Sequence, residues 1–85
     1  LWFLPAAAMA LYAEAPLSDN RQEAEAQRLF KEVRCVVCEG QTIADSNAAL
    51  ARDMRHLIRS SIASDTSAED IKNMLVERYG PDVLL

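Results

Sequence analysis

The chain has 85 residues, 51% hydrophobic and 26% charged, with a formal net charge of −4. That length holds one small domain with a modest core. The acidic balance excludes nucleic acid as a main partner, because no basic excess exists to pair with phosphates, and 6% aromatic residues leave little to stack on bases.

The opening stretch LWFLPAAAMALYAEA is apolar from Leu1 to Tyr12 and closes on Ala13-Glu14-Ala15. That spacing of small residues is what signal peptidase accepts, and the apolar run is shorter than the about 20 residues of a membrane-spanning helix. The expected division is 1–15 as the remnant of an export signal and 16–85 as the folded domain. The alternative is an apolar first helix of the domain itself. Export would place the chain where disulfides persist.

Three helical patterns follow, and no strand. The first is expected from about Asn20 to Arg34. Ser18, Asp19 and Asn20 are candidate caps, because a short side-chain oxygen takes up an unpaired backbone N–H. Leu29, Phe30 and Val33 form its apolar stripe, with Glu23, Glu25, Gln27, Arg28 and Lys31 facing solvent.

The second pattern is expected from about Ile43 to Ala63, with Thr42 and Asp45 at capping-box spacing. Ile43, Leu50, Met54, Leu57, Ile58 and Ile62 form one stripe at helical period, and Asn47 falls on that side, where it needs a polar partner such as the preceding loop. Arg52, Arg55, His56 and Arg59 make a basic face, read either as solvated or as a surface for a partner or lipid headgroups. The helical phase of His56 points it away from the stripe, which argues against a role as base.

The third pattern starts at Ser67, whose spacing from Asp70 is again that of a capping box, and carries Ile71, Met74, Leu75 and Tyr79 on one face. Gly80 and Pro81 stop it. The short connections make successive helices antiparallel neighbours. The fold class is therefore all-α, a small three-helix bundle with a C-x-x-C motif in the loop between helices 1 and 2. The apolar ending PDVLL has no place in that bundle.

Cys35 and Cys38 are the two cysteines, in the stretch VRCVVCEGQ. A structural zinc site needs four ligands, and the pair plus a distant His56 does not supply them, so no metal is expected. Covalent haem attachment uses C-x-x-C-H, and Glu39 stands where that histidine belongs, so no haem-binding residue is expected. Two readings remain. A structural disulfide suits an exported chain but closes a very small loop, which constrains the unfolded state little. A redox pair suits the spacing, since one thiolate attacks a partner disulfide and the second resolves the mixed disulfide without leaving the site. A thioredoxin fold is excluded by the absence of strand patterns. On the expected helix limits, Cys35 follows the C-terminal end of helix 1, which disfavours a thiolate, and the start of helix 2 favours the thiolate of Cys38. Arg34 lowers and Glu39 raises the neighbouring thiol pKa values, so neither thiol is expected to be extreme.

The stretch RCVVCEGQTIADSNAALARDMR resembles the motif of the CcmH/CycL/NrfF family of cytochrome c maturation proteins. The matching residues are Arg34, Cys35, Cys38, Gly40, Gln41, Thr42, Ile43, Asp45, Ser46, Ala48, Ala51, Asp53 and Arg55, and MLVERYGPDVLL is similar to the family's closing stretch. Val33, Glu39 and Met54 depart from the usual leucine, glutamine and leucine. Glu39 sets a carboxylate beside Cys38 and makes that thiol less acidic.

The resemblance implies a three-helix bundle acting as a thiol–disulfide oxidoreductase on the periplasmic side of the bacterial inner membrane. Cys35 and Cys38 would be the catalytic pair, with Arg34, Glu39, Gln41, Ser46 and Asn47 supporting the loop. The pair would reduce, or form a mixed disulfide with, the C-x-x-C-H cysteines of apocytochrome c. Its other implied partners are a thioredoxin-like maturation protein and the membrane subunit of the haem lyase. Its only redox group would be its own disulfide, with haem handled by the partners. The family's membrane anchor would follow the DVLL end. The non-enzymatic rival is an adaptor whose disulfide shapes a docking loop. The nitrite-reductase branch of the family is not distinguished from the general one.

Overall fold

The computed structural model describes residues 14–37 and 40–85. Residues 1–13, and with them most of the expected export signal, lie outside the described residues, as do Cys38 and Glu39. The described residues form three helices in chain order, α1 (Asn20–Phe30), α2 (Ala49–Ala63) and α3 (Ala68–Tyr79), with a 3₁₀ turn at Pro81–Val83. The all-α class is as expected, and there is no strand among the described residues.

α1 begins where Asp19 caps it, its carboxylate accepting from the amides of Arg21 at 2.8 Å and Gln22 at 3.2 Å. Its end differs from expectation: the helix stops at Phe30 rather than Arg34. Beyond a turn at Lys31 and Glu32, residues 33–35 run between two other segments. Arg34 N donates to Val83 O and Leu85 N to Glu32 O on one side, while Ile43 N donates to Val33 O and Cys35 N to Gln41 O on the other. These bonds make two isolated antiparallel bridges, Val33 with Leu84 and Arg34 with Thr42. Backbone groups bonded across the fold cannot also close helical turns, so tertiary pairing ends the helix. Val33 still reaches the core, fully buried, by way of the bridge.

α2 corrects the sequence expectation more strongly. Thr42 and Asp45 do not cap it. They close a turn, Asp45 N donating to Thr42 O at 3.1 Å, and the helix starts only at Ala49. The amide of Ile43 is held by Val33, and the run Asp45-Ser46-Asn47 carries short polar side chains that compete with helical bonding. Asn47 lies exposed in the link ahead of the helix, not on its apolar side.

α3 follows its pattern. The Ser67 hydroxyl accepts from Asp70 N at 3.1 Å, and the helix ends at Gly80, whose φ of 99° and ψ of 165° is a conformation essentially reserved for glycine. This turn sends the chain back toward the cysteine loop. The apolar ending then has a place after all: Val83 is fully buried and Leu84 pairs with Val33.

The core gathers Leu29, Phe30, Met54, Ile58, Ile62, Ile71 and Leu75 from the three stripes, with Ile43 and Val83 from outside the helices. Leu50, Leu57, Met74 and Tyr79 pack at its margin. α1 packs mainly on α2, and α3 mainly on the 3₁₀ turn. The expected basic face divides. Arg52 and His56 are exposed, whereas Arg55 and Arg59 are buried, each 8% exposed.

Burying two guanidinium groups requires counter-charges. Arg55 grips Glu14 with two prongs, Nε at 2.6 Å and Nη2 at 2.8 Å. Arg59 grips Glu23 in the same way at 3.0 and 2.8 Å, and its Nη1 reaches Glu14 at 2.7 Å. Its guanidinium carbon sits 5.0 Å from the centroid of the Phe30 ring. Glu14, which the sequence alone groups with the export signal, is thus tied into the polar seam between α1 and α2. Glu23, expected on the solvent face, belongs to the same seam.

Candidate functional site

The site is built on the short bridged segment 33–35. Because it is bonded on both sides, the loop that leaves it at Cys35 and returns at Gln41 starts and ends on fixed backbone. Gly40 returns the chain with a φ of 72°, in the left-handed region that favours glycine.

Cys35 is buried, at 3% exposure, and is not a free thiol. Its neighbour in space is Ser46, itself buried. The Ser46 hydroxyl donates to Cys35 Sγ at 3.9 Å and accepts from Ala48 N at 3.1 Å. Arg55 holds the other side of the same turn, Nη1 donating to the carbonyls of Ile43 and, at 2.8 Å, Ser46. Of the other expected supporting residues, Arg34 and Gln41 stand exposed at the base of the loop and contribute backbone bonds. The expected electrostatics change with the helix limits: α1 ends before Glu32 and α2 starts well beyond Cys38, so neither helix terminus abuts the loop directly. The start of α2 is linked to Cys35 through Ser46.

Beside Cys35 lies an open groove of about 500 Å³. One wall is the loop: Arg34, Cys35, Val36, Val37, Gly40, Gln41 and Thr42. The other is the returning tail, Tyr79, Asp82 and Leu85. Val36, Val37 and Leu85 are 47%, 66% and 68% exposed, and they are the large apolar side chains left in solvent among the described residues. All three line this one groove. Arg34 and Asp82 set opposite charges at its edges. Sequence reasoning missed Tyr79, Asp82 and Leu85, and the available signal was an apolar ending placed after a clear helix stop.

The polar seam is firmly charged. Hydrogen bonds from Arg55, then from Arg59, hold the Glu14 carboxyl down to a pKa of about 2 against the opposing effect of burial. The Arg59 bond, with help from the Leu17 amide and Gln27, does the same for Glu23, again to about 2. Arg59 is pushed up in turn, chiefly by Glu23. Among the described residues no group of three or more His, Cys, Asp or Glu side chains is placed to hold a metal ion, and no helix is long and apolar enough to cross a membrane.

The sequence pattern of the family described as CcmH, cytochrome c biogenesis protein, matches residues 1–85. The chain belongs to the CcmH family. The cytochrome c-type biogenesis protein CcmH of Bradyrhizobium diazoefficiens is 45% identical over 82 residues, which cover 93% of this chain and 51% of that protein. CcmH of Pseudomonas fluorescens is 41% identical over 61 residues, 68% of this chain and 39% of the relative. The formate-dependent nitrite reductase complex subunit NrfF of Escherichia coli is 35% identical over 63 residues, covering 74% of this chain and 50% of that subunit. The chain thus spans about half the length of the Bradyrhizobium relative. Both cytochrome c-type biogenesis proteins and nitrite reductase complex subunits are represented among the relatives it matches.

Proposed function

We propose that this CcmH-family domain is a thiol–disulfide exchanger for apocytochrome c, with Cys35 and Cys38 as the redox pair. The observation that carries the reading is the coincidence of Cys35 with the groove that collects Val36, Val37 and Leu85. An exposed apolar patch beside a sulfur is what an unfolded peptide needs for docking. Glu39 and Gln41 flank the pair in sequence and complete the loop with Arg34, Ser46 and Asn47.

In the reaction, one thiolate of the reduced pair attacks the disulfide of a C-x-x-C-H segment. A mixed disulfide forms, and the partner's other sulfur leaves as a thiolate that takes a proton. The second cysteine, as thiolate, then attacks its own partner sulfur in the mixed disulfide. The Cys35–Cys38 disulfide forms and the second peptide thiol is released. Two electrons pass to the apocytochrome, and a dithiol of a thioredoxin-like maturation protein restores the pair. We place this chemistry on the periplasmic face of the inner membrane, beside the haem lyase.

The adaptor reading draws on the burial of Cys35, which also suits a structural staple. The separating experiment offers an oxidised C-x-x-C-H peptide to the two single-cysteine variants, Cys35→Ser and Cys38→Ser. A trapped mixed disulfide in either supports exchange. Equal peptide binding by the double Cys35→Ser/Cys38→Ser variant, with no adduct in the single ones, would make the domain an adaptor. The reduction potential gives the same division: roughly −120 to −270 mV for an exchanger, below about −300 mV for a staple.

A further inference from the structure

We propose that Ser46 tunes the Cys35 sulfur directly, and that Arg55 is the positioning residue that holds Ser46 against it. The proposal rests on the redox reading of the pair and adds to it which side chains set the thiolate.

The geometry carries the first half. A serine hydroxyl has one proton to give. Here its oxygen accepts from Ala48 N at 3.1 Å and lies within donating distance of Cys35 Sγ, at 3.9 Å. Ala48 is the N-cap of α2 and has no side chain that can cap it, so its amide belongs to the positive end of that helix. A hydroxyl that accepts such a bond becomes a better donor. The start of α2 is thereby coupled to the Cys35 sulfur. In the disulfide the sulfur is a weak acceptor. Once the disulfide opens, Cys35 is a thiolate, as attacker or as leaving group, and the same hydroxyl stabilises that charge.

The second half follows from the fork of Arg55. One nitrogen grips the carbonyls of Ile43 and Ser46, which fixes the turn, while the other two grip Glu14. A lysine keeps the charge but not this planar, two-sided grip. Ser46 is therefore held from a residue 41 positions away from Arg55 in the chain.

The test is an ultraviolet titration of the Cys35 thiolate in the full chain, with Cys38→Ser leaving a single thiol. Arg34, Tyr79 and Asp82, which share the groove with Cys35, are unchanged throughout. Ser46→Ala is expected to raise the apparent pKa and cut the thiolate fraction at neutral pH by about five- to tenfold. Ser46→Thr, which keeps the hydroxyl, is expected to return it to within about twofold of the parent. Arg55→Lys is expected to fall between. A role confined to structure would lower the unfolding temperature and leave the titration where it was. An unshifted Ser46→Ala titration overturns the proposal. If Ser46→Ala does not fold, Ser46→Thr and Arg55→Lys decide it: parent-like thiolate in a folded Arg55→Lys protein overturns the positioning role, and a Ser46→Thr titration far from the parent overturns the hydroxyl's. No partner enters the measurement, so failure here and failure of peptide trapping are separate results.

Discussion

The cysteine loop and the polar seam between α1 and α2 invert each other. In the loop, valines stand in water and a sulfur is buried. In the seam, two arginines are buried and their carboxylate partners close over them. The difference shows that residue type alone does not decide exposure. An apolar side chain stays out where there is a groove for something else to fill, and a charge goes in where a two-pronged counter-charge and carbonyl acceptors meet it. The seam encloses its charges, and the loop leaves its valines exposed.

The largest break in this contrast comes from the seam. Arg55→Ala leaves Glu14 short of its main partner and strips two carbonyls of their donor, and the expected cost is about 3 kcal/mol in urea unfolding. A cost under about 1 kcal/mol would mean that the seam is decorative.

Acid provides a smaller and reversible break. The carboxyls of Glu14 and Glu23 have folded pKa values near 2, below the ordinary 4.5. Their contribution is complete above about pH 4.5 and is lost as the pH falls toward 2. Screening of these partly exposed pairs limits it to the order of 1 kcal/mol per carboxyl. Denaturation curves across that window should slope for the parent and flatten for a Glu14→Gln/Glu23→Gln chain, and equal slopes would remove the seam from the acid response.

The smallest effect on stability belongs to the loop. Val36→Ser and Val37→Ser should change unfolding free energy by no more than about 0.5 kcal/mol, because both side chains are already wet. They should nevertheless weaken capture of a C-x-x-C-H peptide roughly fivefold or more, since that contact would bury them. Stability loss without any change in capture would place these valines with the core instead.

Much of the fold was legible because it rests on local chemistry. Asp19 and Ser67 cap α1 and α3 through bonds to amides two or three residues on, Gly80 stops α3, and Leu29, Met54, Ile58 and Ile71 recur at helical period. The cysteine motif and its frame were equally plain, and they place the chain in the CcmH family. The start of α2, the burial of Arg55 and Arg59, and the return of the tail were not legible. Helical phase gives the direction in which a side chain points, but not whether a partner waits there. The partner of Arg55 lies 41 residues away, the partner of Arg59 in α1 lies 36 away, and the groove needs Leu85 beside Val36. By itself the sequence determined that three helices form, the caps that start α1 and α3, and the cysteine pair. The tertiary structure decided which backbone amides bond across the fold, and so where helices stop, which charges are enclosed and which apolar side chains stay exposed.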